Sequence, residues 1–124
     1  MSSPTRQVLR KKNPLFYAFC PDYPDVMKRR LEVRPAHFAR VEEDKKAGIF
    51  EFGRGMLPPP SSPLHTHPAL PEGVQAMSGS IMFFRLPTLE DAWKRVKEDV
   101  YWTEGIWDKE KTVVGEFIKG PGDE

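Results

Sequence analysis

Apolar and polar positions change period several times along this chain, and each change marks an element. Leu15 to Cys20 reads Leu-Phe-Tyr-Ala-Phe-Cys between Pro14 and Pro21, an apolar run that predicts a buried strand. After the turn-like segment from Pro21 to Pro24, Val26, Met27 and Leu31 recur at helical spacing within a basic stretch, so a short helix follows. Pro35 disrupts a helix interior but suits a first turn. A second helix is therefore expected from Pro35 to Ala47, with Phe38 and Val41 facing inward and Gly48 as its stop. His37 shares a face with Val41 at i, i+4, at the margin of the buried stripe. Ile49 to Phe52 alternates and predicts a second strand ending at Gly53.

Between Met56 and Gly79 the pattern stops. Six prolines (Pro58, Pro59, Pro60, Pro63, Pro68 and Pro71) cannot sustain a helix or a central strand, and a loop this long is usually a functional lid or disordered. Ser80 to Leu86 resumes as a third strand. Thr88 with Asp91 three residues on forms a capping box for a helix bearing Leu89, Ala92, Trp93, Val96 and Val100. Lys111 to Ile118 is rich in β-branched residues and reads as the last strand, before the turn-forming Gly120-Pro121-Gly122. The order β-α-α-β-loop-β-α-β predicts an α+β, ferredoxin-like split βαβ domain whose four-stranded antiparallel sheet carries its helices on one face. Strand phenylalanines suffice for both faces. The uncovered face is expected to pack on a two-fold related copy, giving a homodimer.

Length and composition then bound the answer. With 124 residues, 39% hydrophobic and 30% charged, the chain suits one domain. We place it at residues 14–119, with the Pro-rich loop at 56–79 inside it and disordered tails at 1–13 (basic) and 120–124 (acidic). The basic tail shares its composition with mitochondrial presequences, although a solvated tail is the simpler reading. A net charge of +1 provides no field for nucleic acid or anionic lipid, and no window is apolar enough for a membrane span. The single cysteine, Cys20, cannot form an internal disulfide and reads as a buried inert thiol, so a cytoplasmic location is expected.

Most motif searches end in exclusions. No Gly-x-Gly-x-x-Gly, Walker or Gly-x-Ser-x-Gly pattern is present, so nucleotide and serine-hydrolase chemistry lack support and no cofactor is expected. His65-Thr66-His67 alternates like two metal ligands, but a site needs three or four, so no metal is assigned and these histidines are expected to line a pocket from the lid. Trp93 reads as core. Trp102 and Trp107 read as core too, with packing over an aromatic ligand as the alternative.

One stretch is more specific. Arg29-Arg30-Leu31-Glu32-Val33-Arg34-Pro35-Ala36-His37-Phe38-Ala39 resembles the signature of the YCII-related family, an Arg-rich helix end leading into Arg-Pro-x-His-hydrophobic-Ala. Asp22, Gly53, Gly79-Ser80, Asp99-Val100-Tyr101 and Gly105-Ile106-Trp107 follow the family order, although the family usually has Asp-Pro-Tyr at Asp99. The resemblance covers about Leu15 to Ile118 and implies a dimeric α/β barrel with a His-Asp pair in a pocket. The family includes a dehydrochlorinase acting on chlorinated hydroxyquinols. His37 is then the expected general base or acid, with Asp99 or Asp22 as the carboxylate that orients it. Arg34 is the candidate for stabilising anionic charge, and Asp22, Ser80, His65, His67 and Trp107 are further candidates for contacting substrate. The function expected is a cofactor-independent lyase or isomerase acting on a small carbonyl or phenolic compound. Non-catalytic proteins that hold a metabolite in the same cavity are the alternative.

Overall fold

A computed structural model describes residues 12–123; the expected basic tail falls almost entirely outside them. Strand β1 (Leu15–Pro21) is followed by helix α1 (Met27–Lys46), strand β2 (Phe50–Gly55), a 3₁₀ turn (Pro63–Thr66), strand β3 (Gly79–Arg85), helix α2 (Leu89–Glu98), the single turn α3 (Val100–Thr103) and strand β4 (Val113–Glu116). The strands form one antiparallel sheet in the order β2-β3-β1-β4, so the two central strands are β3 and β1. This is the ferredoxin-like α+β arrangement.

The period of two along β1 separates the sheet faces. Phe16, Ala18 and Cys20 are buried beneath the helices with Met82 and Phe84 of β3, while Tyr17 and Phe19 point the other way. Ala92 and Val96 of α2 and Tyr101, Ile106 and Trp107 beyond it close this core. On the opposite face Phe52, Phe83, Phe117 and Tyr17 touch ring to ring in a row, with neighbouring centroids 5.1 to 5.5 Å apart. Phe19 and Val113 flank the row and are 41% and 49% exposed. No element of the chain covers this face among the described residues.

One element differs from expectation. The two helices expected around Pro35 are a single 20-residue helix, with Pro35 inside it. Its buried positions, Met27, Arg30, Val33, His37, Val41 and Asp44, run in one phase through the proline, so tertiary packing outweighs the local break. Pro35 lies on the exposed side, where the Leu31 carbonyl it deprives of a partner can meet water. The same phase corrects Phe38. It is 51% exposed, and His37 instead takes the buried position. The helix ends as expected at Gly48, whose φ of +74° admits the closing bonds from the Gly48 amide to Lys45 O and from the Ile49 amide to Asp44 O.

The strands differ only in extent: β2 runs on through Arg54 to Gly55, and β4 is confined to Val113–Glu116. Thr88 caps α2 by accepting from the Asp91 amide at 3.1 Å. Val100 leaves that helix, because Asp99 adopts extended backbone and starts α3.

Candidate active site

Three of the six buried positions on α1 are ionisable, and each meets an opposite charge from another part of the chain. Arg30 donates to Asp22 beyond β1 at 2.9 Å, His37 meets Asp99 at 2.9 Å, and Asp44 accepts from Arg95 of α2 at 2.6 Å. Buried charges are tolerated only when paired and hydrogen-bonded, so these contacts fix α1 against the rest of the fold.

Asp99 is the hinge of the arrangement. As the cap of α3 it accepts the Tyr101 amide at 2.9 Å, and this turn aims its wholly buried carboxylate back toward α1. There Nδ1 of His37 lies 2.9 Å from both oxygens, and Nη1 of Arg95 donates to Oδ2 at 3.0 Å. Burial works to raise the pKa of Asp99, but the hydrogen bond and charge of His37, with Arg95 and the Tyr101 amide, outweigh it and hold the carboxyl below the usual carboxylate range. An ionised Asp99 requires Nδ1 to be the donor, so in the neutral imidazole the lone pair is on Nε2. The imidazole is further held by Tyr101, stacked at 4.2 Å with an 18° tilt, and Trp107 packs edge-on behind.

Nε2 makes no hydrogen bond among the described residues, and His37 lines a cavity of about 860 Å³. Its walls are α1 with Arg34 and Val41, β2 with Phe50 and Arg54, and the end of the long loop with Val74 and Met77. Arg30 and Tyr101 form its floor beside His37, with the Arg30 guanidinium 4.3 Å above the phenol ring. Burial pushes the Tyr101 hydroxyl up to about 12 against the opposing charges of Arg30 and Arg34, so it stays protonated at neutral pH. Burial likewise raises Cys20 to about 12, assisted by Asp99 and Asp22, which leaves an inert thiol.

The other sequence candidates divide. Arg34 and Ser80 line the cavity. Asp22 sits behind them on Arg30, and Ser80 Oγ accepts from Arg30 at 2.6 Å and from the Trp107 indole at 3.3 Å. Trp107 is wholly buried and supports the floor from beneath. One oxygen of Asp22 has no partner, and burial raises this carboxyl to about 6 despite the attraction of Arg30. The two loop histidines are not in the cavity wall. His65 is exposed, with Nε2 3.0 Å from the Pro59 carbonyl, and His67 accepts the Ala69 amide at 3.0 Å beside Leu31 in a separate groove. The loop reaches the cavity through Leu57 and residues 73–77 instead, and the buried Ala76 and Met77 anchor that end of it on Met27. Among the described residues no cluster of three or more His, Cys, Asp or Glu could hold a metal ion.

Sequence reasoning passed over Arg30, Asp44, Arg95, Tyr101 and Arg54. The first three had a readable signal: a charged residue standing in phase with an apolar helical stripe.

No family model matches the chain. Among curated proteins it is 33% identical over 105 residues to the aspercryptin biosynthesis cluster protein B of Emericella nidulans, a match covering 79% of this chain and 58% of that protein. The chain thus spans less than two thirds of that relative's length. Among solved structures, 5-chloro-2-hydroxyhydroquinone dehydrochlorinase (TftG) from Burkholderia phenoliruptrix AC1100, in complex with 2,5-dihydroxybenzoquinone, matches with a TM-score of 0.66 at 20% identity. That match covers 89% of this chain and 99% of the other, and at such identity it shows a shared fold.

Proposed function

We propose that this chain is a cofactor-independent lyase or isomerase that moves a proton on a small carbonyl or phenolic compound. One observation carries the reading: the imidazole of His37, a residue that lines a cavity, is anchored through Nδ1 on a buried carboxylate while Nε2 has no partner among the described residues. Nε2 takes a proton from substrate carbon or oxygen, and Asp99 stabilises the imidazolium that forms. The electron pair released passes into the substrate, where Arg34 offsets the developing negative charge on oxygen. In an elimination that pair expels a leaving group; in an isomerisation His37 returns the proton to another atom. The dehydrochlorinase of the same fold, which holds a dihydroxybenzoquinone, supports this class of reaction and of ligand.

The wider reading goes with it. Residues 14–119 are taken as one YCII-type unit, on the Arg34-Pro35-Ala36-His37 signature and the ferredoxin-like fold. The aromatic sheet face is taken as the surface where two copies meet as a dimeric α/β barrel.

The test is His37→Gln, assayed for chloride release or proton exchange on chlorinated and plain hydroquinones. Positioned proton transfer contributes about 10²- to 10⁴-fold, so turnover should fall by that much at nearly unchanged ligand affinity. Full turnover in the folded variant refutes the role. The rival is a non-catalytic metabolite-binding or accessory protein of the same fold that holds its ligand in this cavity. It requires binding without any turnover in the wild-type chain.

A further inference from the structure

Arg30, Ser80 and Tyr101 line the same cavity as His37, and the first two are held by the fold itself. Arg30 directs Nε to Asp22, Nη1 to the Met77 sulfur and Nη2 to the Gly79 carbonyl and Ser80 Oγ. Ser80 Oγ is held between Arg30 and the Trp107 indole. Tyr101 is different: it is 1% exposed, yet its hydroxyl has no partner among the described residues. The buried side-chain polar atoms there that are both sealed and unpartnered are Asp22 Oδ1 and Arg95 Nη2. Tyr101 Oη and His37 Nε2 are not among them, so each keeps accessible surface, and both residues line the cavity.

Asp99 aligns the two rings. It receives Nδ1 of His37 and the backbone amide of Tyr101, each at 2.9 Å, so both side chains start from one carboxylate. They then stack at 4.2 Å with an 18° tilt. Nε2 lies across the imidazole from Nδ1, and the hydroxyl lies across the phenol from Cβ, so in this nearly parallel pair both point away from Asp99. Burial keeps the proton on the hydroxyl, and the charges of Arg30 and Arg34 oppose it and strengthen the O–H as a donor. Stacking on the imidazole needs only the ring. A hydroxyl left unpaired in so buried a place is unfavourable, so this one calls for an acceptor in the cavity.

We infer that Tyr101 is a further catalytic residue, whose hydroxyl donates a hydrogen bond to a substrate oxygen while Nε2 of His37 takes a proton from the neighbouring carbon. The catalytic half rests on the proton-transfer reading, but the hydrogen bond to a bound oxyanion does not. As the C–H bond breaks, its electron pair moves toward the oxygen, the proton passes to Nε2, and Tyr101 keeps its own proton. Atoms set side by side by a stack reach adjacent positions of one molecule. The substrate therefore carries its oxygen on the carbon next to the one that is deprotonated, as in an enolisable ketone or the keto form of a hydroxylated ring.

The test titrates 4-nitrophenolate, a ring with one oxyanion, into the full chain at about pH 9, where ordinary imidazoles are neutral, with uncharged 4-nitroanisole as the control. Tyr101→Phe keeps the stack and should bind the phenolate about tenfold more weakly, the scale of one hydrogen bond to a charged group, with 4-nitroanisole affinity changed less than about threefold. The absorption band of the bound phenolate should move to longer wavelength in this variant, a readout that ring packing alone would not shift. With a hydroquinone that is turned over, kcat should fall about 10²-fold at nearly unchanged KM. His37→Gln should lose turnover and keep the phenolate affinity, which separates this inference from the proton-transfer reading. Tyr101→Phe should keep its melting temperature, and a clear drop would show that the hydroxyl serves the fold and overturn the inference. Unchanged phenolate affinity or full turnover in Tyr101→Phe overturns it too, as does a wild-type chain that binds no phenolate.

Discussion

Asp99→Asn is nearly isosteric, yet it should damage both stability and chemistry. The carboxylate of Asp99 is wholly buried and accepts from His37, from Arg95 at 3.0 Å and from the Tyr101 amide at 2.9 Å. An asparagine has one acceptor oxygen. If that oxygen stays on the Tyr101 amide, the NH₂ group faces Arg95 Nη1 and the imidazole, and Arg95 is left with Asp44 as its only carboxylate. Arg95 is 3% exposed and Nη2 already lacks a partner, so water offers little compensation. Breaking a buried pair costs about 3–5 kcal/mol, and Asp44 keeps the expected loss near the lower end, about 3 kcal/mol. The new NH₂ also favours a lone pair on Nδ1, which transfers the ring proton to Nε2 and removes the base from the cavity. Urea unfolding followed by tryptophan fluorescence gives the first quantity and turnover gives the second. His37→Gln is the control, since it spares the Arg95–Asp99 contact and should cost less. A loss below about 1 kcal/mol in Asp99→Asn would show that Arg95 does not depend on this carboxylate, and the argument for a tightly coupled buried network would fail.

Stability should respond to two carboxyls of opposite sign. Asp22, raised to about 6 in the fold from an ordinary 3.8, contributes stability that is fully present below 3.8 and lost as pH rises through 6. The full difference is about 3 kcal/mol. Asp99, held low, contributes stability above the ordinary carboxylate range that is lost as pH falls through its folded value. Unfolding free energies of wild type and Asp22→Asn measured across this range should differ in slope between about pH 4 and 6, and parallel curves would contradict the burial argument. Pro35→Ala should stabilise by about 1–2 kcal/mol, the recovered helical bond and removed clash less the added freedom of the unfolded chain, and a thermal melt that drops instead would mean Pro35 is needed where it stands. Phe83→Asp, in the middle of the aromatic row, should convert a dimer into a species of 14.2 kDa by light scattering; a wild-type monomer at micromolar concentration removes the dimer reading altogether.

Local pattern was enough for the sheet, because the first three strands are short apolar runs bounded by prolines or glycines and the last is rich in β-branched residues, and for α2, because Thr88 and Asp91 mark its start. It failed where a local rule competed with a longer one. By its own propensity Pro35 reads as a helix start, whereas the buried stripe passes it without a slip of phase. Counting from Pro35 also placed Phe38 inward, while counting from Met27 puts His37 there. The alternation of His65 and His67 resembled a strand, but Pro63 opens a 3₁₀ turn, in which alternation has no facing consequence. His37 and Asp99 became candidates through the YCII-like motif, not through spacing, since 62 residues separate them.

The longer rule nonetheless contains the search for the missing residues. A stripe that reads Met27, Arg30, Val33, His37, Val41, Asp44 commits three ionisable groups to the interior, and the desolvation of each must be offset by a partner from elsewhere. In a split βαβ fold the other principal helix lies against the same sheet face, so those partners belong to α2 and its ends or to the strand termini beneath. Arg95 stands in the apolar stripe of α2 between Ala92 and Val96, which makes it the partner for one acid of α1. Asp99 lies one turn further along, where the helix must end because its next turn starts anew at Val100. A carboxylate at that junction is within reach of the buried ionisable side chain of α1 two turns before Asp44, and that side chain is His37.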